Sequence, residues 1–231
     1  MHTRPWDGSI LFSLPLLLLS AVALTGCGDF VPPPFQTYAA FHSEVSHNEP
    51  HLLVVFTYGY GCFAEGRGNG LRDMAEAVQR RYPSAKVICR GWNDNDGIEY
   101  VVQAHHGPVV LIGHSFGGCR SVEITENVQR QVDSLILLDP VPFPDWKRRH
   151  DGKYFELSNK VRNAVCFYRP ALFWPPSYSI VNLKAAYENR VRDLSHAAFC
   201  ENVEVRKCVL AACEKEMAQL DISGAVQASI Q

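Results

Sequence analysis

One serine in this chain stands where a serine can become a nucleophile. Residues 108–118 read PVVLIGHSFGG: a short apolar, β-branched run, then Gly113, His114, Ser115, Phe116, Gly117 and Gly118, then a helix-forming stretch. A strand, a sharp turn and a helix in that order hold a side chain exposed at the end of a sheet. The turn forces Ser115 into a strained backbone conformation, and Gly113 and Gly117 leave room where strand and helix cross closely. A hydroxyl attacks well only when a base takes its proton, so a histidine must come within hydrogen-bond reach and a carboxylate must orient it. The histidines at hand are His114, His150 and His196; the carboxylates are Asp139, Asp145, Asp151, Glu156, Glu188 and Asp193.

These residues need elements to hold them. Leu52 to Phe56 is a continuous apolar run, as a strand covered on both faces should be, and it leads into the loop Thr57 to Gly61. Leu71, Met74, Ala75 and Val78 recur at helical spacing, and Pro83 closes that helix. Lys86 to Cys89 reads as a second strand; Asp96 can cap a helix carrying Ile98, Val101 and Val102; Val109 to Ile112 leads into the turn at Ser115. Ser134 to Leu138 and Ala164 to Tyr168 read as further strands, with Tyr178 to Leu183 a weaker one. A last helix is predicted from about Val203 to Leu220, with Val205, Val209, Ala212 and Met217 as its apolar stripe. Strands separated by helix-length segments imply parallel βαβ units, hence an α/β fold: a doubly wound, mostly parallel sheet of about six strands with helices on both faces. Ligands of such sheets bind beyond the carboxyl ends of the strands, and Tyr60, Ser115 and Asp139 all fall just past strand ends.

With those elements in place, residues 51 to 222 resemble the α/β-hydrolase family, and the GHSFGG turn is similar to the nucleophile elbow of lipases, esterases and thioesterases. The resemblance implies Ser115 as nucleophile and the chain order serine, acid, histidine. His196, in DLSHAAF between the last candidate strand and the C-terminal helix, occupies the place of the family's histidine loop, whereas His150 lies in the loop KRRHDGK. His114 resembles the common elbow residue that packs beside the nucleophile. Asp139 ends the strand directly after the elbow helix, in LILLDPVPFP, much like the acid of pancreatic-type lipases. Glu188 and Asp193 lie where more members of the family carry theirs, and Asp193 is only three residues from His196. The oxyanion hole would use the amide of Phe116 and, from TYGYG, that of Tyr60, with Gly59 and Gly61 allowing a close approach. The family's HGGG form is absent. Tyr58, Tyr60, Phe63, Phe116, Phe143, Trp146, Phe173 and Trp174 could line an acyl site or belong to the core.

The resemblance therefore implies a carboxylic ester or thioester hydrolase working through an acyl-enzyme, with Ser115, His196 and Asp139 as its triad and with no cofactor or metal. Two rivals stay open: a non-catalytic hydrolase-like envelope lipoprotein that binds a lipid, glycan or protein, and an acyltransferase using the same triad. The same scaffold hosts all three.

The N-terminus reads differently. Arg4 precedes an apolar stretch from Ile10 to Leu24, about fifteen residues, too short to span a bilayer and right for a secretory signal. It runs into Leu24, Thr25, Gly26 and Cys27, which resembles the lipobox of bacterial lipoproteins. That resemblance implies a signal peptide over 1–26, a lipidated Cys27 at the mature N-terminus and a place in the bacterial cell envelope. Residues 27–50, with Pro32, Pro33 and Pro34 in succession, read as an extended linker, and 51–231 as the hydrolase domain. Charged residues are 20% and the net charge is −2, which gives no field for nucleic acid. Of eight cysteines, the seven beyond Cys27 allow up to three disulfides in an oxidising compartment, and none has zinc-site spacing.

Overall fold

Apolar runs that do not alternate must be covered on both sides, and residues 53–57, 109–114 and 132–138 are buried throughout. A computed structural model describes residues 51–59, 69–142, 155–169, 186–190 and 195–228. Six strands, β1 (Leu53–Tyr58), β2 (Lys86–Gly91), β3 (Val109–His114), β4 (Val132–Leu138), β5 (Val161–Tyr168) and β6 (Ala186–Arg190), form one sheet in the order β2-β1-β3-β4-β5-β6. Every neighbouring pair is parallel. Among the described residues, four α-helices accompany them: α1 (Asn69–Arg81), α2 (Asn95–Ala104), α3 (Phe116–Asn127) and α4 (Val203–Ala228).

Successive strand residues point to opposite faces, so β1 to β5 feed two cores. Leu53, Val55, Leu111 and Leu135 pack with Ile98 and Val102 of α2 and with Cys119 and Val122 of α3. Val54, Phe56, Ile112 and Ile136 pack with Leu71, Met74 and Val78 of α1 and with Val205, Val209 and Cys213 of α4. The sheet is doubly wound. α1 carries the chain outward from β1 to β2 on one face, and α2 and α3 carry it back to β3 and on to β4 on the other. Opposite directions on opposite faces preserve one crossover hand. The strand order therefore reverses between β1 and β3, and a doubly wound sheet opens a crevice where the order reverses.

Several boundaries differ from the sequence-based expectation. β1 and β3 each run two residues further, to Tyr58 and His114, because ladder pairing with neighbours continues past the apolar run. Asp94, not Asp96, is the N-cap residue of α2; Asp96 sits in the first turn, where its charge still complements the helix dipole. β6 was not expected. Its sequence AYENR has no apolar run, which an edge strand held by β5 alone does not require. The candidate strand Tyr178–Leu183 lies outside the described residues. α4 continues to Ala228 rather than ending near Leu220, and its buried stripe is Val205, Val209, Cys213 and Glu216, with Ala212 and Met217 at its margin. Of the seven cysteines beyond Cys27, Cys89, Cys208 and Cys213 are free thiols, and Cys62 lies outside the described residues.

Candidate active site

Ser115 sits between the last residue of β3 and the first of α3 with φ 58° and ψ −127°. A non-glycine residue held there costs on the order of 1–3 kcal/mol and persists only where its surroundings dictate it. Here they do. The Ser115 amide donates to the Leu138 carbonyl at the end of β4 (3.1 Å), and its own carbonyl accepts from the amides of Gly118 (2.9 Å) and Val141 (3.0 Å). The glycines around it are sterically required: a Cβ on Gly113 would lie 2.5 Å from the Gly117 carbonyl oxygen and 2.6 Å from the Gly118 Cα. A Cβ on Gly117 would collide with the Thr57 carbonyl of β1.

Asp139 follows β4 directly and has φ 45°; among the described residues, it and Ser115 are the two non-glycine positions in the left-handed region. Its side chain is fully buried. Its amide donates to the Phe167 carbonyl of β5 at 2.7 Å, which turns the carboxylate across the strand ends. Oδ2 accepts from His196 Nδ1 at 2.6 Å and from Arg169 Nε at 2.6 Å, while Oδ1 accepts from the Arg169 amide at 3.2 Å.

His196 caps the short 3-10 helix Ala197–Glu201 and leaves 27% of its side chain exposed. Donation from Nδ1 to Asp139 leaves Nε2 of the neutral ring as a proton acceptor. A second histidine steadies the loop: His114 Nε2 donates to the His196 carbonyl at 2.9 Å, and the two rings lie 4.7 Å apart between centroids. Burial, and secondarily the neighbouring His196, lowers the His114 pKa from 6.5 to about 4. His114 is therefore a neutral donor at ordinary pH, and it packs beside the elbow as the sequence suggests.

Around the serine, the backbone is crowded. The position of a Cβ on Gly59 would be 2.5 Å from Ser115 Cβ, 2.9 Å from Ser115 Oγ and 2.9 Å from the Phe116 nitrogen. Gly59, directly after β1, thus lies against the first amide of α3, at the positive end of that helix. Phe116 is brought to the site; Tyr60, the other expected oxyanion donor, lies outside the described residues, as do Cys27, His150, Asp145, Asp151 and Asp193. Glu156 is exposed to solvent, and Glu188 sits inside β6 in register with Cys166. Of the aromatic candidates, Tyr58 and Phe116 are half-buried at the strand ends; Phe63, Phe143, Trp146, Phe173 and Trp174 lie outside the described residues.

Two features escaped the sequence reading. Arg169, one residue past β5 and 7% exposed, forms the ion pair with Asp139. A cation directly after an apolar strand, at the same sheet edge as a candidate catalytic acid, was the signal for it. Trp92, after β2, places its ring edge-on to Phe116 with centroids 5.4 Å apart.

No protein-family model and no curated protein matches this chain. Among solved structures it is similar to the esterase PE8, at 11% identity and a TM-score of 0.47 over 73% of this chain and 94% of that one. It is also similar to a protein described as a YdeN-like hydrolase from Pectobacterium atrosepticum, at 19% identity and a TM-score of 0.47 over 71% of this chain and 91% of the other.

Proposed function

We propose that this protein is a serine hydrolase that cleaves a carboxylic ester or thioester through an acyl-enzyme on Ser115. The observation that carries the reading is the 2.6 Å hydrogen bond from His196 Nδ1 to the buried Asp139, at the same sheet edge as a serine held at φ 58°. Ser115 Oγ attacks the carbonyl carbon while His196 Nε2 takes its proton. Asp139 holds the imidazole in that tautomer and balances the imidazolium. The tetrahedral oxyanion lies against the Phe116 amide, with Tyr60 as the proposed second donor. Collapse breaks the bond to the alkoxide or thiolate, which leaves with the proton from His196. Water then attacks the acyl-Ser115 carbonyl, gives a proton to His196, and releases the acid with Ser115 restored.

The test is fluorophosphonate labelling together with hydrolysis of short-chain p-nitrophenyl esters, wild type beside Ser115→Ala. We expect wild type to label and turn over, and Ser115→Ala to do neither. A wild-type protein that neither labels nor hydrolyses would overturn the reading in favour of a binding module. Labelling without hydrolysis, but with acyl transfer to an added alcohol, would make it an acyltransferase.

The membrane anchor is a separate proposal, and the sequence L-T-G-C at 24–27 supports it. Acyl chains on Cys27 would hold the protein at the envelope membrane, each buried CH₂ contributing about 0.8 kcal/mol. Cys27→Ser should move the protein from the membrane fraction to the soluble one; continued membrane retention counts against the anchor.

A further inference from the structure

α3 carries a buried ion pair that the proposed chemistry does not use. Arg120 and Glu123 lie one and two turns into the helix that begins after Ser115, and their side chains are 12% and 5% exposed. Nε of Arg120 donates to the Trp92 carbonyl at 2.6 Å. Trp92 is the residue after β2, and its own amide donates to the Tyr58 carbonyl at 2.9 Å. Tyr58 immediately precedes Gly59, whose backbone lies against Ser115 Oγ and the Phe116 amide. The Trp92 ring meets the Phe116 ring edge-on. A continuous chain of short contacts thus runs from Glu123 through Arg120 and Trp92 to the loop beside the nucleophile, and it closes on the same helix.

We propose that Arg120 and Glu123 are positioning residues: they lock the loops after β1 and β2 onto α3, and so set the oxyanion-side backbone at Gly59 and the Trp92–Phe116 aromatic wall. A guanidinium suits this task, because Glu123 satisfies one edge of its planar fork while Nε addresses a main-chain carbonyl. The carbonyl chosen is the one whose peptide neighbour holds β1. The effect concerns where charge develops in the transition state, so it belongs to kcat more than to KM. The catalytic consequence rests on the serine-hydrolase reading; the mechanical one does not.

The experiment separates positioning from mere stability. Arg120→Met takes the guanidinium away from the buried Glu123 carboxylate and should lower Tm. The double variant Arg120→Met, Glu123→Leu removes both charges, and replacing a buried pair with apolar groups commonly restores stability. We expect its Tm to return toward wild type while kcat remains about tenfold or more below it, with KM within about threefold. Arg120→Lys, which keeps a charge for Glu123 and loses the planar Nε donor, should fold and show the same kcat loss. Independently of activity, amide hydrogen exchange at Trp92 should quicken about tenfold in both folded variants while exchange in β3 is unchanged. A folded variant with wild-type kcat and wild-type exchange at Trp92 overturns the proposal. If wild type proves inactive, the hydrolase reading fails and the exchange at Trp92 still decides the brace.

Discussion

The carboxylate of Asp139 accepts two short hydrogen bonds on one oxygen, from Arg169 Nε and His196 Nδ1, each at 2.6 Å. Burying a carboxylate completely is costly unless cations and donors compensate it, and Arg169 supplies a permanent charge where His196 supplies a conditional one. Arg169→Met leaves Asp139 buried with the imidazole as its remaining side-chain partner among these two. Breaking a buried pair in this way costs about 3–5 kcal/mol, so thermal denaturation should show Tm lower by roughly 10 °C. Arg169→Lys should recover part of that loss, since it restores the charge but not the Nε geometry. A Tm within about 2 °C of wild type for the methionine variant would mean that Asp139 is compensated elsewhere. For catalysis, Asp139→Asn keeps the shape and removes the acceptor that selects the His196 tautomer. On the proposed mechanism kcat should fall by about 10⁴, the loss that this change causes in the Ser-His-Asp site of serine proteases, and a near-normal kcat would place the acid elsewhere.

Between elements, two contacts decide how closely α3 and α4 can approach the sheet. Gly117 faces the Thr57 carbonyl of β1 with no room for a methyl group, so Gly117→Ala should push α3 away from β1 and abolish soluble folded protein or labelling at Ser115. On the opposite face, Glu216 of α4 is fully buried; its Oε1 accepts from Ser134 Oγ of β4 at 3.2 Å, and Oε2 has no hydrogen-bond partner among the described residues. Burial first, and the charge of Asp133 second, raises the Glu216 pKa above its usual 4.5. The folded state then binds a proton more readily than the unfolded chain, so the stability associated with this group is present at low pH and is lost as pH rises above 4.5 through the raised value. Glu216→Gln should therefore raise Tm at pH 7 and leave it nearly unchanged at pH 4. A lower Tm at pH 7 would show that the carboxylate is needed in its charged form.

Across the molecule, the reversal of strand order between β1 and β3 brings Gly59 and Ser115 together, and the parallel ladder then lays Asp139 and Arg169 along the same edge from β4 and β5. Four consecutive strand ends in the sheet thus contribute to one rim. The same burial that assembles it makes the fold sensitive to acid. His114 lies in the core of the rim and His105 at the far end of the sheet, where its Nε2 donates to the His51 carbonyl at 2.7 Å. Burial lowers both from 6.5 to about 4. Between those two pH values the unfolded chain takes up protons at these two histidines that the folded one refuses, so their contribution to stability is full above about 6.5 and is lost as pH falls toward 4. For His114 the loss is on the order of 3 kcal/mol. Chemical denaturation at pH 7 and pH 4.5 should show it, and His114→Asn should flatten the difference; an unchanged pH dependence would assign the acid sensitivity to other groups.

The one-dimensional pattern determined the succession of β1 to β5 and of the four described helices, because uninterrupted apolar runs and helical spacing are local properties of the chain. It also singled out Ser115, since a strained turn needs its glycines in fixed places, and it named His196 and Asp139 through family order. It could not show that Asp139 shares an oxygen with Arg169, or that Arg120 reaches Trp92. Those partners lie 30 and 28 residues apart. Such pairings depend on which strand ends become neighbours, and sheet order is decided by crossover hand and by the competition among strands for pairing. β6 was missed for the same reason: a polar edge strand is recruited by the ladder of β5 rather than by an apolar pattern of its own. The strained turn at Ser115 was legible because its geometry is local, and the charge balance around Asp139 was not, because only the folded sheet brings those groups together.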